Sequence, residues 1–267
     1  MNILIAFLIT LFAGLSTGIG GLLAFTPLAN KKGFLAFSLG LSAGVMIYVS
    51  FIEIFPKALE SLTEVYPDSN AYILTTIAFF AGMLLIGLID YAIPDMMNPH
   101  TLPDVNGDVD NEVLMERSRL LRTGLFTALA ITIHNFPEGL ATFIAATEST
   151  ALGISVGVAI AIHNIPEGIA VAMPIYHATG NKAKALWYAL GSGLAEPLGA
   201  IVGIFLLQAF SGELFFGFLF SAVGGIMVYI SLDELLPSAE KYGKHHISII
   251  GMMMGMAIMA ISLILFI

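Results

Sequence analysis

Eight apolar stretches, each about as long as a bilayer-crossing helix, set the terms on which this chain can fold. They fall near residues 3–28, 34–56, 71–93, 123–147, 151–175, 185–209, 214–236 and 247–267. A hydrocarbon core of about 30 Å takes roughly 20 apolar residues in helical form. Within it, every backbone N–H and C=O must be satisfied inside its own segment. Stretches of this length therefore fold as transmembrane helices. A single aqueous core fails on composition. Of 267 residues, 58% are hydrophobic and 11% charged, whereas a soluble domain spends about a quarter on charge. Residues 1–28 open without a basic segment or a small-residue cleavage pattern, so the first stretch reads as a retained span, not a signal peptide. The expected fold is an all-α membrane protein of eight transmembrane helices, one transmembrane domain over 1–267.

Charge placement orients these helices. Lys31, Lys32, Arg117, Arg119, Arg122, Lys182, Lys184, Lys241 and Lys244 fall in alternate connections, and only Lys57 falls in the other set. Connections rich in Lys and Arg stay in the cytoplasm. Both termini are then outside, and the long polar stretch near 94–122 is a cytoplasmic loop. It holds Pro94, Pro99, Pro103 and Asn106-Gly107, which break regular structure. A miscounted span would scatter the bases, so their segregation supports the count of eight. The excess of 19 acids over 10 bases gives no footing for nucleic acid. With no cysteine in the chain, disulfides, thiolate metal sites and cysteine nucleophiles are excluded.

The chain also repeats itself. Gly44, Met46, Tyr48, Ser50, Glu53, Pro56 and Ala58 of residues 43–58 match Gly225, Met227, Tyr229, Ser231, Glu234, Pro237 and Ala239 of residues 224–239. A weaker echo pairs Gly14-Leu15 and Gly20 with Gly193-Leu194 and Gly199. Under the orientation above, the second and seventh spans run in opposite directions, so the repeat is inverted, as in many secondary transporters. Helices 1–3 and 6–8 form the two copies around the fourth and fifth, a 3+2+3 arrangement.

The fourth and fifth stretches carry two copies of one polar motif, Ile133-His134-Asn135-Phe136-Pro137-Glu138-Gly139 and Ile162-His163-Asn164-Ile165-Pro166-Glu167-Gly168. Residues four apart stack on one helix face. His134 with Glu138, and His163 with Glu167, therefore project together, each with an Asn alongside. Proline lacks an N–H and crowds the carbonyl four residues back, here that of Ile133 and of Ile162. A freed carbonyl at membrane depth is tolerated where it lines a cavity or meets a ligand. A carboxylate at mid-bilayer costs roughly 2.5–3.5 kcal/mol on insertion scales. Two such clusters compound that cost unless they face each other around positive charge. Imidazole with carboxylate suits Zn²⁺, Fe²⁺, Mn²⁺ and Co²⁺, whereas Ca²⁺ and Mg²⁺ prefer oxygen alone. The competing reading is a polar contact between packed helices, against which duplication of the motif argues.

The sixth stretch adds Gly193-Leu194-Ala195-Glu196-Pro197, another carboxylate beside a proline. Its alternative is a protonated acid in a packing seam. These seven side chains exceed the four ligands of one zinc. They predict two adjacent ions sharing Glu138 and Glu167, with His134 and His163 mainly on one and Asn135, Asn164 and Glu196 on the other. Glu53 and Glu234, with Asp233 beside it, are expected at the outer and inner mouths of a path, with solvated helix-end charges as the equal alternative. Asp90 reads as a helix-end charge and His177 as a candidate inner acceptor. His100, among Asp95, Asp104, Asp108 and Asp110, could hold metal weakly in a loop that is otherwise merely solvated. His245 and His246 read as interfacial and Trp187 as an interface anchor. The methionines, Met252-Met253-Met254 among them, read as packing or lipid-facing.

At the paired motif, at Gly193 to Glu196 and at Asp233 to Pro237, the chain resembles the ZIP family of metal transporters, in its bacterial branch, over essentially its whole length. The resemblance implies eight spans in 3+2+3 order with both termini outside a bacterial inner membrane. It also implies uptake of divalent metals into the cytoplasm without enzyme activity. Zinc, ferrous iron, manganese, cobalt and cadmium would be transported substrates, with no prosthetic cofactor. Family ligand roles carry over to His134, Asn135, Glu138, His163, Asn164, Glu167 and Glu196. The residue after Glu196 varies in the family, and Pro197 is expected to alter the local kink. The expected partners are divalent metal ions and lipid, with a homodimer left open. A metal exporter and an ion-coupled carrier of another solute stand as alternatives. An intramembrane metalloprotease would need His-Glu-x-x-His, which is absent.

Overall fold

The computed structural model describes residues 3–27, 29, 31–92, 109–209, 212–242 and 245–266, and all regular structure among them is helical. Helix α1 (Ile3–Leu23) is followed by α2 (Lys32–Val49), which runs through a π turn, Ser50–Ile54, into α3 (Phe55–Thr63). Then come α4 (Asp68–Ala92), α5 (Val109–Glu148), α6 (Thr150–Thr179), α7 (Lys182–Gly193) and α8 (Ala195–Ala209). Helix α9 (Glu213–Ile230) passes through a second π turn, Ser231–Leu235, into α10 (Leu236–Tyr242), and α11 (His245–Phe266) ends the chain.

Among the described residues, seven helices are long and apolar enough to cross a membrane: Ile3–Leu23, Gly33–Thr63, Asp68–Tyr91, Thr150–Thr179, Lys182–Leu206, Leu214–Glu240 and His245–Leu265. The chain is thus an all-α, multi-pass membrane protein. Helix α5, which holds the fourth apolar stretch, is not among the seven. It begins at Val109, so part of the expected loop near 94–122 is helical. Asp95, His100, Asp104 and Asp108 lie outside the described residues, as does the side chain of Asp110.

The internal repeat reappears as geometry. The two π turns stand at matching positions of the repeated segments, and in each the serine hydroxyl donates to the carbonyl four residues back. Ser50 Oγ reaches Met46 O and Ser231 Oγ reaches Met227 O, both at 2.7 Å. A π turn inserts one residue into the helical count and so re-aims Glu53 and Glu234 alike. Helix pairing follows the same exchange: α2 packs on α11 as α9 packs on α4, and α1 packs on α6 as α8 packs on α5. Glycines allow backbone to approach backbone at these crossings, as helices in lipid require for close packing. Gly20 meets Ile165 and Gly168 of α6, while Gly199 meets Phe136 and Leu140 of α5. Outward faces are apolar. On α4, Tyr72, Ile77, Phe80, Leu84 and Leu88 are exposed, as is Trp187 near the start of α7.

Candidate metal centre

Five motif residues of α5 and α6 face the interior. Asn135, Glu138, His163, Asn164 and Glu167 are all 0% exposed, as is Glu196 of α8. The side chain of His134 lies outside the described residues. Both helices run unbroken through Pro137 and Pro166. Glu196 owes its position to a break: α7 ends at Gly193, Leu194 makes a turn, and α8 restarts at Ala195. Pro197 falls in the first turn of α8, where its missing N–H has no helical partner to lose. Glu196 lies in that same turn, where the helix dipole favours negative charge.

Two groups of contacts result. In the first, the imidazole of His163 lies against two glutamates. Its Nε2 lies 3.3 Å from Glu138 Oε2, 3.2 Å from Glu138 Oε1 and 3.8 Å from Glu167 Oε1. Ser42 of α2 donates from Oγ to Glu167 Oε1 at 3.0 Å. In the second group, Asn164 Nδ2 donates to Glu196 Oε1 and to Ala13 O, the latter at 2.9 Å. Asn135 Nδ2 donates to Ser192 O at 3.2 Å. Ala13 and Ser192 precede the paired glycines Gly14 and Gly193, so the two asparagines tether to matching carbonyls of the repeat. Glu196 lies within electrostatic reach of Glu138 and Glu167, which links the two groups.

Such a chamber is costly when empty of positive charge. Three carboxyl groups share it, and buried charge must be paired. Moreover, Asn135 Oδ1, Asn164 Oδ1 and Glu196 Oε2 are buried without any hydrogen-bond partner. All three are acceptor oxygens, and buried polar atoms are satisfied in the great majority of cases. Among the described residues no three His, Asp or Glu side chains stand in ready-made ligating geometry. The ring of His163 instead rests against the glutamates.

One cavity reaches this centre at Glu138, and a second lies beside Ile133 at the edge of the α5 motif. The first, about 390 Å³ with its mouth, is lined by Glu53, Lys57 and Glu138 among apolar neighbours such as Phe220 and Met227. The second, about 350 Å³ with its mouth, is lined by Asp90, Asp233, Glu234, Tyr229 and Ile133. Glu53 and Glu234 thus line separate cavities, and Asp90 belongs to the second of them. His177 is exposed at the end of α6, its ring 5.7 Å from that of Tyr176, away from the centre. His245 pairs with Glu240 at 2.6 Å on the surface.

The family model for the ZIP zinc transporters matches residues 99–263, a segment that contains both motifs and Glu196. The chain belongs to the ZIP zinc-transporter family. It is similar over nearly its full length to several proteins named zinc transporter ZupT. That of Oceanobacillus iheyensis is 56% identical over 99% of this chain and 98% of its own. That of Streptococcus mutans is 57% identical over 98% and 97%, and that of Clostridium perfringens 53% over 100% and 97%. ZIP proteins are transporters, so this chain is not an enzyme. Within this ZIP chain, sequence reasoning missed Ser42 and the carbonyls of Ala13 and Ser192. No local pattern marks them, because each joins the centre from another helix. Asp90, read as a helix-end charge, does lie near the end of α4, where it also lines the second cavity.

Proposed function

We propose that the protein carries divalent metal cations, zinc foremost and with it Fe²⁺, Mn²⁺, Co²⁺ and Cd²⁺, across a bacterial inner membrane into the cytoplasm. The reading rests on one observation: acceptor oxygens of Asn135, Asn164 and Glu196 are buried without partners beside the carboxylates of Glu138 and Glu167. A doubly charged ion answers all of them at once. Two ions bridged by Glu138 and Glu167 would use His134 and His163 on one side and Asn135, Asn164 and Glu196 on the other. An ion entering past Glu53 reaches Glu138 through the first cavity and displaces the His163 ring from its contact with the carboxylates. It leaves past Ile133 toward Asp90, Asp233 and Glu234. Helix α5 serves as the eighth span. The exchange symmetry of helix contacts supports a 3+2+3 arrangement, in which α5 and α6 rock as a pair between the repeats. Both termini lie outside.

Zinc uptake into proteoliposomes of defined protein orientation is the test. Flux is expected from the face bearing Glu53, and Glu138→Ala should abolish it while the protein remains folded in the bilayer. Undiminished flux in that variant eliminates this centre, and flux only in the opposite sense makes the protein an exporter.

A further inference from the structure

Among the described residues, most buried helical hydroxyls have a partner: Ser42, Ser155, Ser221 and Ser262 bond to other helices, and six more turn back on their own. Thr10, Ser16, Ser50, Thr75, Ser192 and Ser231 are buried and each donates to a carbonyl three or four residues back in its own helix. This is the usual recourse of Ser and Thr in an apolar helix. Thr17 of α1 departs from it. It is 0% exposed, yet its Oγ1 has no partner. Of the two carbonyls three and four residues back, that of Ala13 already accepts from Ser16 Oγ at 2.6 Å and from Asn164 Nδ2 at 2.9 Å. Thr142 and Ser248 also have unpartnered hydroxyls, but neither has a counterpart at the centre.

Thr17 does have one. The register that matches Gly14 with Gly193 and Gly20 with Gly199 places Thr17 opposite Glu196. The contacts obey the same register. Asn164 donates to Ala13 O as Asn135 donates to Ser192 O. A Cβ built on Gly193 would stand 2.7 Å from Thr17 Oγ1, as one built on Gly14 would stand 3.3 Å from Glu196 Cβ. Thr17 therefore sits over Gly193, next to the carbonyl that holds Asn135. By register, Thr17 corresponds on the Asn135 side to Glu196, which accepts from Asn164 on the other. Two unpartnered oxygens, Thr17 Oγ1 and Asn135 Oδ1, mark that side of the centre.

We propose that Thr17 is an ion-contacting residue, its hydroxyl oxygen serving the transported divalent cation from α1 as Glu196 serves it from α8. This rests on the transport reading above. A neutral oxygen adds coordination without adding charge. It also weights the centre toward harder ions such as Mn²⁺ relative to zinc.

The test compares Thr17→Val with Thr17→Ser in zinc uptake by proteoliposomes, alongside thermal unfolding in detergent. Valine keeps the shape and deletes the hydroxyl. Because that hydroxyl has no protein partner, its removal leaves no group newly unsatisfied, and the unfolding temperature should not fall. The expected result is a KM for Zn²⁺ raised about tenfold, the lower end for lost ligand support, at nearly unchanged maximal rate. The loss should be larger for Mn²⁺, and Thr17→Ser should behave as the parent protein. A wild-type KM in Thr17→Val overturns the inference, as does a lowered unfolding temperature, which would reveal a structural partner. Equal loss in Thr17→Ser overturns it too, because the methyl group would then be responsible. Absence of zinc uptake by the parent protein would instead refute the transport reading itself.

Discussion

One methyl group at Gly168 tests how the centre is assembled. Gly168 follows Glu167 on α6 and faces the backbone of α1. A Cβ there would stand 2.8 Å from the carbonyl carbon of Thr17 and 2.9 Å from the nitrogen of Gly21, with the Thr17 oxygen closer still. Ordinary contact begins near 3.4 Å, so α1 must retreat by well over half an ångström. No side chain can yield in its place, because the obstacle is backbone. Two effects oppose each other. Helix propensity favours Ala over Gly by about 1 kcal/mol, while overpacking costs about 1–3 kcal/mol. A rigid obstacle puts this site at the upper end, leaving a net loss of about 2 kcal/mol. The retreat also draws Ala13 O away from Asn164 Nδ2, now 2.9 Å apart, and so loosens the asparagine beside Glu196. Gly168→Ala should therefore unfold more readily in detergent and transport zinc more slowly. Gly191→Ala is the control, because its added Cβ meets nothing within 4 Å. If the two variants match in stability and in flux, close backbone packing does not hold this centre together.

Two further outcomes are expected. Ser42→Ala removes the donor to Glu167 Oε1; a hydrogen bond to a charged group contributes about 1.5–3 kcal/mol, and a cation competing for that oxygen gains part of it. Calorimetric titration should show zinc binding at least several-fold tighter, with a lower maximal uptake rate as release slows, and weaker binding would contradict this. Zinc itself should stabilise the fold by about 2.7 kcal/mol at a hundred times its Kd, seen as a raised unfolding temperature that EDTA reverses and Glu138→Ala lacks. An equal shift in that variant would place the bound ion elsewhere.

Much of this was legible in the residue order. The apolar stretches at 3–28, 71–93, 151–175 and 247–267 coincide with α1, α4, α6 and α11 to within a few residues. Their lengths reflect only the bilayer and the helical rise. The paired motif announced its burial, because imidazole, amide and carboxylate in an apolar helix have few other places to go. The start of α5 was not legible. Its first residues include Glu112, Glu116, Arg117 and Arg119, which read as loop by hydropathy although helix propensity is indifferent to their charge. The π turns were also hidden, since a change of one residue in helical register leaves no signature in composition.

What the sequence alone determined is whatever a single helix settles within itself. In lipid each segment satisfies its own backbone, so span length, helical state and the stacking of Glu138 or Glu167 with residues four away follow from local spacing. The tertiary structure alone decided which helices share the centre. Ser42 and Glu167 are 125 residues apart and meet at 3.0 Å, and the carbonyls of Ala13 and Ser192 reach the two asparagines from helices outside the motif. Those contacts depend on glycine-lined crossings that bring backbones together, a matter of shape between helices and not of spacing along one.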